Sequence, residues 1–354
     1  KVRSYSIFRL LISSTNHAPF SLMKTLVTGA TGFLGSAVVR ELLNDGREIK
    51  VLARRGTDTA NIDGLDVEIV YGDLRDSDSL QPALTGCEVL YHTAAYYSLW
   101  DRDKRLIYDI NVEGTRKILR AAQDKNLERI VYTSTVGCIG LNNDTVPANE
   151  NTPFDPKTLC NDYKKSKYQA EQVVLEFARN GLPVVIVNPS TPVGPRDIKP
   201  TPTGKIILDF LTRDMPAYLD TGLNLIDVAD CARGHILAEK KGVSGEKYIL
   251  GNRNMSLFEI LVTLEKITGL KAPLVKIPYW AALSAGWVCE AISNHITGKP
   301  PAIPLAGVRM AKYFMYFDAS KAVKKLGLPQ SPIEKALKQA VSWFQNHNYI
   351  SAGN

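Results

Sequence analysis

Residues 25–35 read Thr-Leu-Val-Thr-Gly-Ala-Thr-Gly-Phe-Leu-Gly, and they carry the strongest structural signal in the chain. A short apolar strand runs into the three glycines, and a helix-forming segment follows over 36–43. Gly29 lets the chain turn sharply, Gly32 lets backbone N–H groups approach a pyrophosphate, and Gly35 lets the helix pack close to the sheet. The phosphates then lie at the positive end of the helix dipole. A glycine-rich turn without a ligand is the alternative, but the flanking strand and helix favour a dinucleotide site.

Strands and helices alternate over the first half of the chain. The predicted strands cover residues 24–28, 48–53, 66–71, 88–92, 128–134 and 183–188. The predicted helices lie near 33–45, 76–84, 103–125 and 159–180. The strands are rich in Val, Ile, Leu and Tyr, as buried parallel strands are. We therefore predict the α/β class, with a doubly wound parallel sheet of the Rossmann type as a dinucleotide-binding domain over 23–188.

The chain changes character after residue 188. Five prolines fall within 189–204, which excludes a regular helix or a central strand there and predicts a loop. Further helices are predicted at 203–213, 228–240, 256–268, 279–293 and 332–346, with short strands between them. Together they predict a smaller mixed α/β substrate lobe over 189–346, at the carboxyl edge of the sheet where ligands of open α/β folds bind. Residues 347–354 are predicted to be a tail.

The apolar segment 278–296 carries Trp280 and Trp287 at a spacing that fits one helix face only loosely. We assign this segment to the core of the lobe, and a helix on a membrane surface is the alternative. A hydrophobic substrate would favour that alternative.

The composition is that of an ordinary globular protein, with 354 residues, 45% hydrophobic and 22% charged. The formal net charge of +7 is spread without a dense basic run, and no nucleic-acid-binding motif is present. We expect a small-molecule partner and no nucleic acid. Five cysteines are widely spaced without Cys-x-x-Cys, and five histidines are scattered, which predicts reduced thiols, no metal site and a cytoplasmic location. No stretch reaches the ~20 apolar residues of a membrane-spanning helix.

The first 22 residues are basic, rich in serine and free of acidic residues, and Met23 follows them. A transit or signal peptide has such a composition, and so does sequence translated upstream of a true start. We predict that residues 1–22 are a disordered extension that takes no part in the fold.

A second motif, Tyr163-Lys164-Lys165-Ser166-Lys167, carries the candidate chemistry. Tyr163 and Lys167 are four residues apart and share one face of a helix. A phenol with a free pKa of about 10 is a poor base at neutral pH, and a nearby ammonium lowers that pKa. An amphipathic helix with solvated lysines is the alternative. Because the motif opens a helix beyond a strand that ends Val131-Tyr132-Thr133-Ser134-Thr135, we predict a catalytic pair.

The choice of cofactor depends on the end of the second strand, Lys50-Val51-Leu52-Ala53-Arg54-Arg55. Proteins that bind NAD usually place an acidic residue about 20 positions beyond the glycines. Ala53 stands at that place, and either Arg54 or Arg55 can clamp a 2′-phosphate. Solvated arginines at a strand end are the alternative. The pattern favours NADP and leaves NAD open, with Asp73 and Leu74 bordering the adenine.

The combination of these motifs resembles the extended short-chain dehydrogenase/reductase family over residues 24–346. Further matches are Gly72-Asp73-Leu74, His92-Thr93-Ala94-Ala95, Asn111-Val112-Glu113-Gly114-Thr115 and Ile226-Asp227-Val228-Ala229-Asp230. The resemblance implies that Tyr163 is the general acid/base and that Lys167 holds the nicotinamide ribose and lowers the pKa of the tyrosine. The hydroxyl that orients the substrate oxygen would be Thr135, with Ser134 as the alternative. The predicted cofactor contacts are Gly29, Thr31, Gly32, Phe33, Leu34, Gly35, Arg54, Arg55, Asp73, Leu74, Thr93, Ala94, Ala95, Lys167 and Pro189.

Within that family, the chain is similar to the dihydroflavonol-reductase-like branch and to bacterial hopanoid-associated sugar epimerases, in the NAD-dependent epimerase/dehydratase group. The residues that carry this likeness are 187–204, Met215-Pro216-Ala217-Tyr218 and Thr221-Gly222-Leu223-Asn224-Leu225. The resemblance implies hydride transfer at a secondary alcohol or ketone carbon of a sugar-like or dihydroflavonol-like substrate, and both a reductase and an epimerase stay open. Homodimers are common in the family.

Substrate contacts are predicted at Tyr96, Trp100 and Asn188, with Tyr97 beside them. The aromatic residues follow a strand end and should face the cleft, and packing under a loop is the alternative for them. A non-catalytic cofactor sensor on the same fold is the rival function. Such proteins usually lose the active-site tyrosine or lysine, and this chain keeps both Tyr163 and Lys167.

Overall fold

The computed structural model describes residues 23–100, 104–142, 145–158 and 161–350. The predicted extension 1–22 lies outside these residues, as do the last four residues of the predicted tail. Residues 347–350 of that tail pack on the lobe, where the Tyr349 hydroxyl donates to the carbonyl oxygen of Ile198 at 2.5 Å.

A sheet of seven parallel strands forms the centre of the fold. Its strands are β1 (Lys24–Thr28), β2 (Glu48–Ala53), β3 (Glu68–Tyr71), β4 (Val89–His92), β5 (Arg129–Thr133), β6 (Val184–Pro189) and β10 (Lys247–Leu250). They lie in the order β3-β2-β1-β4-β5-β6-β10. The order reverses between β1 and β4, which is where ligands bind in open parallel sheets. The predicted doubly wound parallel sheet is confirmed.

Helices cover both faces of this sheet. They are α1 (Phe33–Asn44), α2 (Ser77–Leu84), α3 (Lys104–Tyr108), α4 (Thr115–Asp124), α5 (Asp162–Arg179) and α7 (Val228–Lys241). A π-helical turn, Asp109–Gly114, joins α3 to α4, and short 3₁₀ turns cover Val136–Cys138 and Pro156–Thr158. Successive strand residues point to opposite faces, so Val27 is buried under α1 and α7 while Leu26 is buried under α2, α4 and α5.

The seventh strand, β10, comes from the part of the chain that we assigned to the lobe. It pairs in parallel with β6, and α7 from the same part packs beside α1. The sheet therefore does not end at the predicted domain boundary of residue 188. The sequence analysis missed this strand, because its register depends on a partner about 60 residues earlier in the chain.

The lobe is built over the carboxyl ends of the strands. Its strands are β7 (Thr191–Val193), β8 (Tyr218–Leu219), β9 (Gly222–Asp227), β11 (Arg253–Ser256) and β12 (Lys276–Ile277). They form a three-stranded sheet, β11-β9-β7, and a two-stranded one, β12-β8. Its helices are α6 (Pro202–Leu211), α8 (Leu257–Thr268), α9 (Tyr279–Ile292), α10 (Leu305–Met310), α11 (Ser320–Leu326) and α12 (Ile333–Asn346), with a π-helical turn over Ser293–Thr297. A separate apolar core lies between α6, α8 and α12, while α11 packs on α7 and β10.

The chain crosses between the main sheet and the lobe sheet three times, and two of these crossings are short. One residue separates β6 from β7, and two separate β10 from β11. Strand β9 runs without a break into α7, which packs on the main sheet and leads through residues 242–246 to β10.

The assignment of segment 278–296 to the lobe core was wrong. Within α9, only Ala282 and Gly286 are buried, while Trp280 is 70% exposed and Trp287 is 58% exposed. Among the helices formed by the described residues, none is long and apolar enough to cross a bilayer.

Candidate active site

The glycine turn between β1 and α1 leaves no room for side chains at two of its three glycines. Gly29 has a φ of +73°, and a Cβ there would lie 2.6 Å from the backbone nitrogen of Ala94. A Cβ on Gly35 would overlap the carbonyl oxygen of Gly29, so this glycine lets the helix pass close to the strand. The Gly32 N–H donates to the Gly29 carbonyl at 3.0 Å and closes the turn. The first turn of α1 thus points its free N–H groups into the space above the sheet.

A single cavity of about 1600 Å³ runs from this turn along the carboxyl ends of the strands and under the lobe. Pockets for one small ligand usually hold about 300–1000 Å³, so the volume suits a dinucleotide together with a second molecule. Most of the predicted site residues line it, namely Gly29, Thr31, Gly32, Phe33, Leu34, Gly35, Arg54, Asp73, Leu74, Thr93, Ala94, Ala95, Tyr96, Tyr97, Ser134, Thr135, Tyr163, Lys167 and Pro189. Three predicted residues, Arg55, Trp100 and Asn188, are not among the described residues that line it.

Helix α5 brings Tyr163 and Lys167 to the cavity. The Asn161 side chain caps the helix by accepting from the Lys164 N–H at 2.8 Å, so the motif begins in the first turn. The Lys167 ammonium is buried and donates to the Thr133 carbonyl at 2.8 Å and to the Tyr132 hydroxyl at 3.1 Å. Burial lowers the pKa of Lys167 to about 8, because the charged form loses its hydration.

The Tyr163 phenol lies in an apolar part of the cavity, and its ring meets the Tyr97 ring edge-on at a centroid distance of 4.5 Å. Burial raises the pKa of Tyr163 well above its usual value, and the neighbouring Tyr97 and Cys138 raise it further. The pKa of Tyr163 thus moves opposite to the lowering that we expected from Lys167, and desolvation of the phenolate is the main cause. Tyr163 is protonated at neutral pH, which is the form that donates a proton.

The hydroxyls of Ser134 and Thr135 have different surroundings. The Ser134 hydroxyl donates to the buried Glu171 carboxylate at 2.5 Å. Thr135 Oγ1 accepts from the Gly137 N–H at 3.1 Å, and no acceptor for its own proton is present among the described residues. The Thr135 proton is thus available to an oxygen in the cavity, whereas the Ser134 proton is already used.

Glu171 is a supporting residue that the sequence analysis missed. It is fully buried, pairs with the Lys247 ammonium, and also accepts from the Asn188 side-chain amide at 2.9 Å. The same amide donates to the Thr135 carbonyl at 2.9 Å, so Asn188 lies behind the site and supports the strand end instead of contacting substrate. The sequence did carry a signal for Glu171, because this residue follows Lys167 by four positions and lies on the same helix face.

The two arginines that follow β2 point to different places. Arg54 lines the cavity, whereas the Arg55 guanidinium lies over the Tyr71 ring at 5.0 Å, at the outer edge of the sheet. Asp73 lines the cavity near Arg54 and accepts from the Arg75 guanidinium at 3.0 and 2.7 Å. Thr57, Asp58 and Asn61 line the same end and were missed, because they lie in a loop without a recognisable motif.

The segment after β4 is fixed by Asn111 in the π-helical turn. Its side chain accepts from the Tyr96 N–H at 2.7 Å and donates to the Tyr96 carbonyl at 3.0 Å, which holds Tyr96 at the cavity. The Trp100 indole instead donates to Asn294 at 2.9 Å, so Trp100 lies against the π-helical turn that follows α9. His92 is bonded to Thr28 and Thr115, and burial lowers its pKa to about 3, which makes it a neutral structural residue.

The described residues contain no group of three or more His, Cys, Asp or Glu side chains that could hold a metal ion.

The chain is similar to several known proteins over most of its length. The family model described as "NAD dependent epimerase/dehydratase family" matches residues 25–251. A Synechocystis sp. protein with the provisional name dihydroflavonol 4-reductase is 50% identical, over 92% of this chain and 95% of its own length. "Sterol demethylase protein B" of Methylococcus capsulatus is 36% identical, over 93% of this chain and 100% of its own. The crystal structure of gox2253 has a TM-score of 0.83 at 45% identity and covers 92% of this chain and 99% of that one.

Proposed function

Because the chain belongs to the NAD-dependent epimerase/dehydratase family of extended short-chain dehydrogenases/reductases, and is therefore an enzyme, we propose that it catalyses hydride transfer between NADP(H) and a secondary alcohol or ketone carbon of an apolar ring compound. The observation that carries the proposal is that the Tyr163 phenol, the Lys167 ammonium and the Thr135 hydroxyl line one cavity with the glycine turn. A protein that only sensed the cofactor would have no use for this set of groups.

The residues of the cavity fit a dinucleotide. A Cβ at Gly29 or Gly35 would fill the turn, and the free N–H groups of α1 face the space where a pyrophosphate would lie. Arg54 and Asp73 would hold the adenosine end, and Lys167 would hold the nicotinamide ribose. When bound, the cofactor supplies or accepts the hydride.

The proton chemistry belongs to the chain. In the reducing direction, Tyr163 donates its proton to the substrate oxygen, and its raised pKa keeps that proton in place until the oxygen becomes basic. Thr135 donates a hydrogen bond to the same oxygen and polarises the carbonyl. The Lys167 ammonium stabilises the phenolate that remains. The Glu171–Ser134 bond holds the strand end that carries Thr135.

The lobe side of the cavity favours an apolar substrate. The charged and hydroxyl groups that the described part of the lobe contributes to the cavity lie mostly within 190–203, namely Ser190, Thr191, Lys199, Thr201 and Thr203. Between 206 and 315, the lining residues that the structure describes include no charged side chain, and only Tyr218 and Thr221 carry hydroxyls. The rest are apolar residues or glycine, with Met215, Met310 and Met315 among them. A sugar nucleotide would require cations for its diphosphate and hydrogen-bond partners for its hydroxyls. A dihydroflavonol-like or larger ring system is therefore favoured over a sugar-like one, and the names of two relatives refer to such compounds, a dihydroflavonol and a sterol.

The preference for NADP over NAD is proposed from Arg54. Arg54→Ala should weaken NADPH binding by about ten- to a hundredfold, because a charge-assisted pair with a phosphate contributes about 1.5–3 kcal/mol. NADH binding should change by less than about threefold. The matched control is Arg55→Ala, whose guanidinium stacks on Tyr71 outside the cavity and which should keep NADPH affinity. Fluorescence titration with both nucleotides measures this, and equal loss in both variants would contradict the assignment.

The role of Thr135 is tested by replacing its hydroxyl with a methyl group of similar shape. Thr135→Val should lower kcat by about a hundredfold, because it removes one donor to the developing oxyanion. Ser134→Ala is the matched control: it should change kcat by less than about tenfold but lower the free energy of unfolding by about 1–3 kcal/mol, since Glu171 loses a buried donor. The reverse pattern would assign the substrate hydroxyl to Ser134.

The pKa of Lys167 predicts a pH dependence. With a pKa of about 8, the ammonium is charged below pH 8 and neutral above it. We expect kcat/KM to fall about tenfold per pH unit above pH 8, as the charge that stabilises the phenolate disappears. In Lys167→Arg the charge persists, so a lower but flatter profile is expected up to pH 10. A parent profile that stays flat to pH 10 would show that this ammonium does not control the reaction.

The first experiment is to purify the protein, denature it and identify any released nucleotide by mass spectrometry. An empty protein that binds NADPH more tightly than NADH, and oxidises NADPH with an apolar cyclic ketone, supports the proposed reductase. About one oxidised nucleotide per chain would favour a redox-neutral epimerase cycle, in which the cofactor stays bound. A protein that binds neither nucleotide would refute both.

A further inference from the structure

Helix α9 and the turn that follows it expose an apolar surface, which we call the α9 surface. Its residues are Trp280 (70% exposed), Trp287 (58%), Val288 (60%), Ile292 (43%) and Ile296 (79%). Soluble proteins rarely leave two tryptophans and three branched aliphatic residues exposed on one helix and the turn that follows it. Glu290 is the only charged residue within α9.

The same helix forms a wall of the cavity. Ala281, Ala282 and Ala285 on α9 line it, together with Val308 and Met310 on α10. A helix that is apolar all round is normally buried within protein or lipid. In α9 one side faces the cavity and α10, and the other side, with the tryptophans, is largely exposed.

Cations border the α9 surface. Lys299, Arg309 and Lys312 are exposed, and within the described residues none of the three forms an ion pair with a carboxylate. The Arg309 guanidinium lies over the Trp287 ring at 5.9 Å from its centroid. The cations come from the segments beside α9 and not from α9 itself. Exposed tryptophan rings favour the headgroup level of a bilayer, and neighbouring Lys and Arg side chains are attracted to anionic lipid.

We propose that the α9 surface docks the protein on an anionic lipid bilayer, from which the cavity takes its substrate. The inference rests on the proposed apolar substrate, and it specifies that substrate as one that resides in lipid. Docking would cover the tryptophans and place the α9 wall of the cavity against the membrane. The charge and the continuity with the cavity favour this occupant over a second copy of the chain, whose identical cations would face one another.

The test is vesicle flotation of the full chain. We expect binding to phosphatidylcholine vesicles that contain phosphatidylglycerol. Binding to pure phosphatidylcholine vesicles should be at least about tenfold weaker. The double variant Trp280→Ser/Trp287→Ser should lose at least about tenfold in binding to the anionic vesicles. Val146→Ser is the matched control, because Val146 is 60% exposed but lies outside the α9 surface. It should bind vesicles like the parent.

A second variant and a second readout secure the interpretation. Arg309→Gln/Lys312→Gln should weaken binding to the anionic vesicles by about thirtyfold, at about fivefold per charge, and should change binding to neutral vesicles little. Brominated acyl chains should quench the tryptophan emission of the parent and not that of the double tryptophan variant.

Failure of the parent to float, or flotation that neither double variant weakens, would overturn the proposal. A parent dimer that the tryptophan variant dissociates, without vesicle binding, would assign the surface to a second copy instead. NADPH titration of the same proteins shows separately whether the proposed function holds.

Discussion

Replacing Tyr163 by phenylalanine is expected to lower kcat by about a thousandfold, in line with the loss of a general acid, and to leave NADPH affinity within about twofold. The ring keeps its edge-on contact with Tyr97, so packing is preserved. The substitution removes only the proton donor of the proposed mechanism. Steady-state kinetics with an apolar cyclic ketone, together with nucleotide titration, measure both quantities.

Tyr97→Phe is the matched control for this variant. Tyr97 lines the same cavity and its ring touches Tyr163, yet the proposed mechanism assigns its hydroxyl no proton. Its kcat should fall by less than about tenfold. If Tyr163→Phe kept the parental kcat, the proposed acid would be wrong, and the rival function of a cofactor sensor would gain support. If Tyr97→Phe alone lost activity, Tyr97 would be the acid.

Gly35→Ala is expected to weaken cofactor binding by up to about a hundredfold and to lower the free energy of unfolding by about 1–3 kcal/mol, the usual cost of overpacking. A Cβ at this position would overlap the Gly29 carbonyl oxygen and lie 2.8 Å from Thr93 Oγ1. Both neighbours belong to the turn and strand end that border the cofactor cavity, so α1 has to move away from the sheet. The N–H groups at its first turn then leave their positions above β1.

Gly307→Ala provides the matched control for the glycine prediction. Gly307 is also within a helix, α10, but the nearest atom to an added Cβ is Leu99 Cδ1 at an ordinary 3.6 Å. This variant should keep its stability and its NADPH affinity, and alanine even favours the helix by about 1 kcal/mol. Thermal unfolding and nucleotide titration of the two variants decide the matter. A Gly35→Ala protein that binds NADPH like the parent would show that the close approach of helix and strand is not needed.

The fold could be predicted from the sequence where the signal is local. The strand, the glycine turn and α1 are encoded within about 20 consecutive residues, and the bounds of α5 were found to within three residues because Asn161 caps it. Local patterns do not report long-range pairing. Strand β10 is only four residues long and joins the sheet through β6, so nothing near it in the sequence indicates its place. The π-helical turn at Asp109–Gly114 was hidden within one predicted helix for a similar reason, since its pattern remains helical.

The candidate site likewise contains residues that local patterns predicted correctly and residues that they did not. Motif residues such as Tyr163, Lys167 and Arg54 reach the cavity because a strand end or a helix face fixes their direction. Arg55, next in sequence, points to Tyr71 instead, and Asn188 turns inward to Glu171. Side chains of neighbouring residues leave a strand on opposite faces, so adjacent candidates can be separated only when the register is known.

The three crossings between the main sheet and the lobe sheet limit how this molecule can open. A hinge requires loop residues that absorb large changes in φ and ψ, and the two short crossings offer one and two, while β9 runs without a break into α7. We therefore expect the lobe sheet to move little relative to the main sheet. We expect the exchange of ligands to depend chiefly on α9 and α10, which line the cavity and lie outside these crossings.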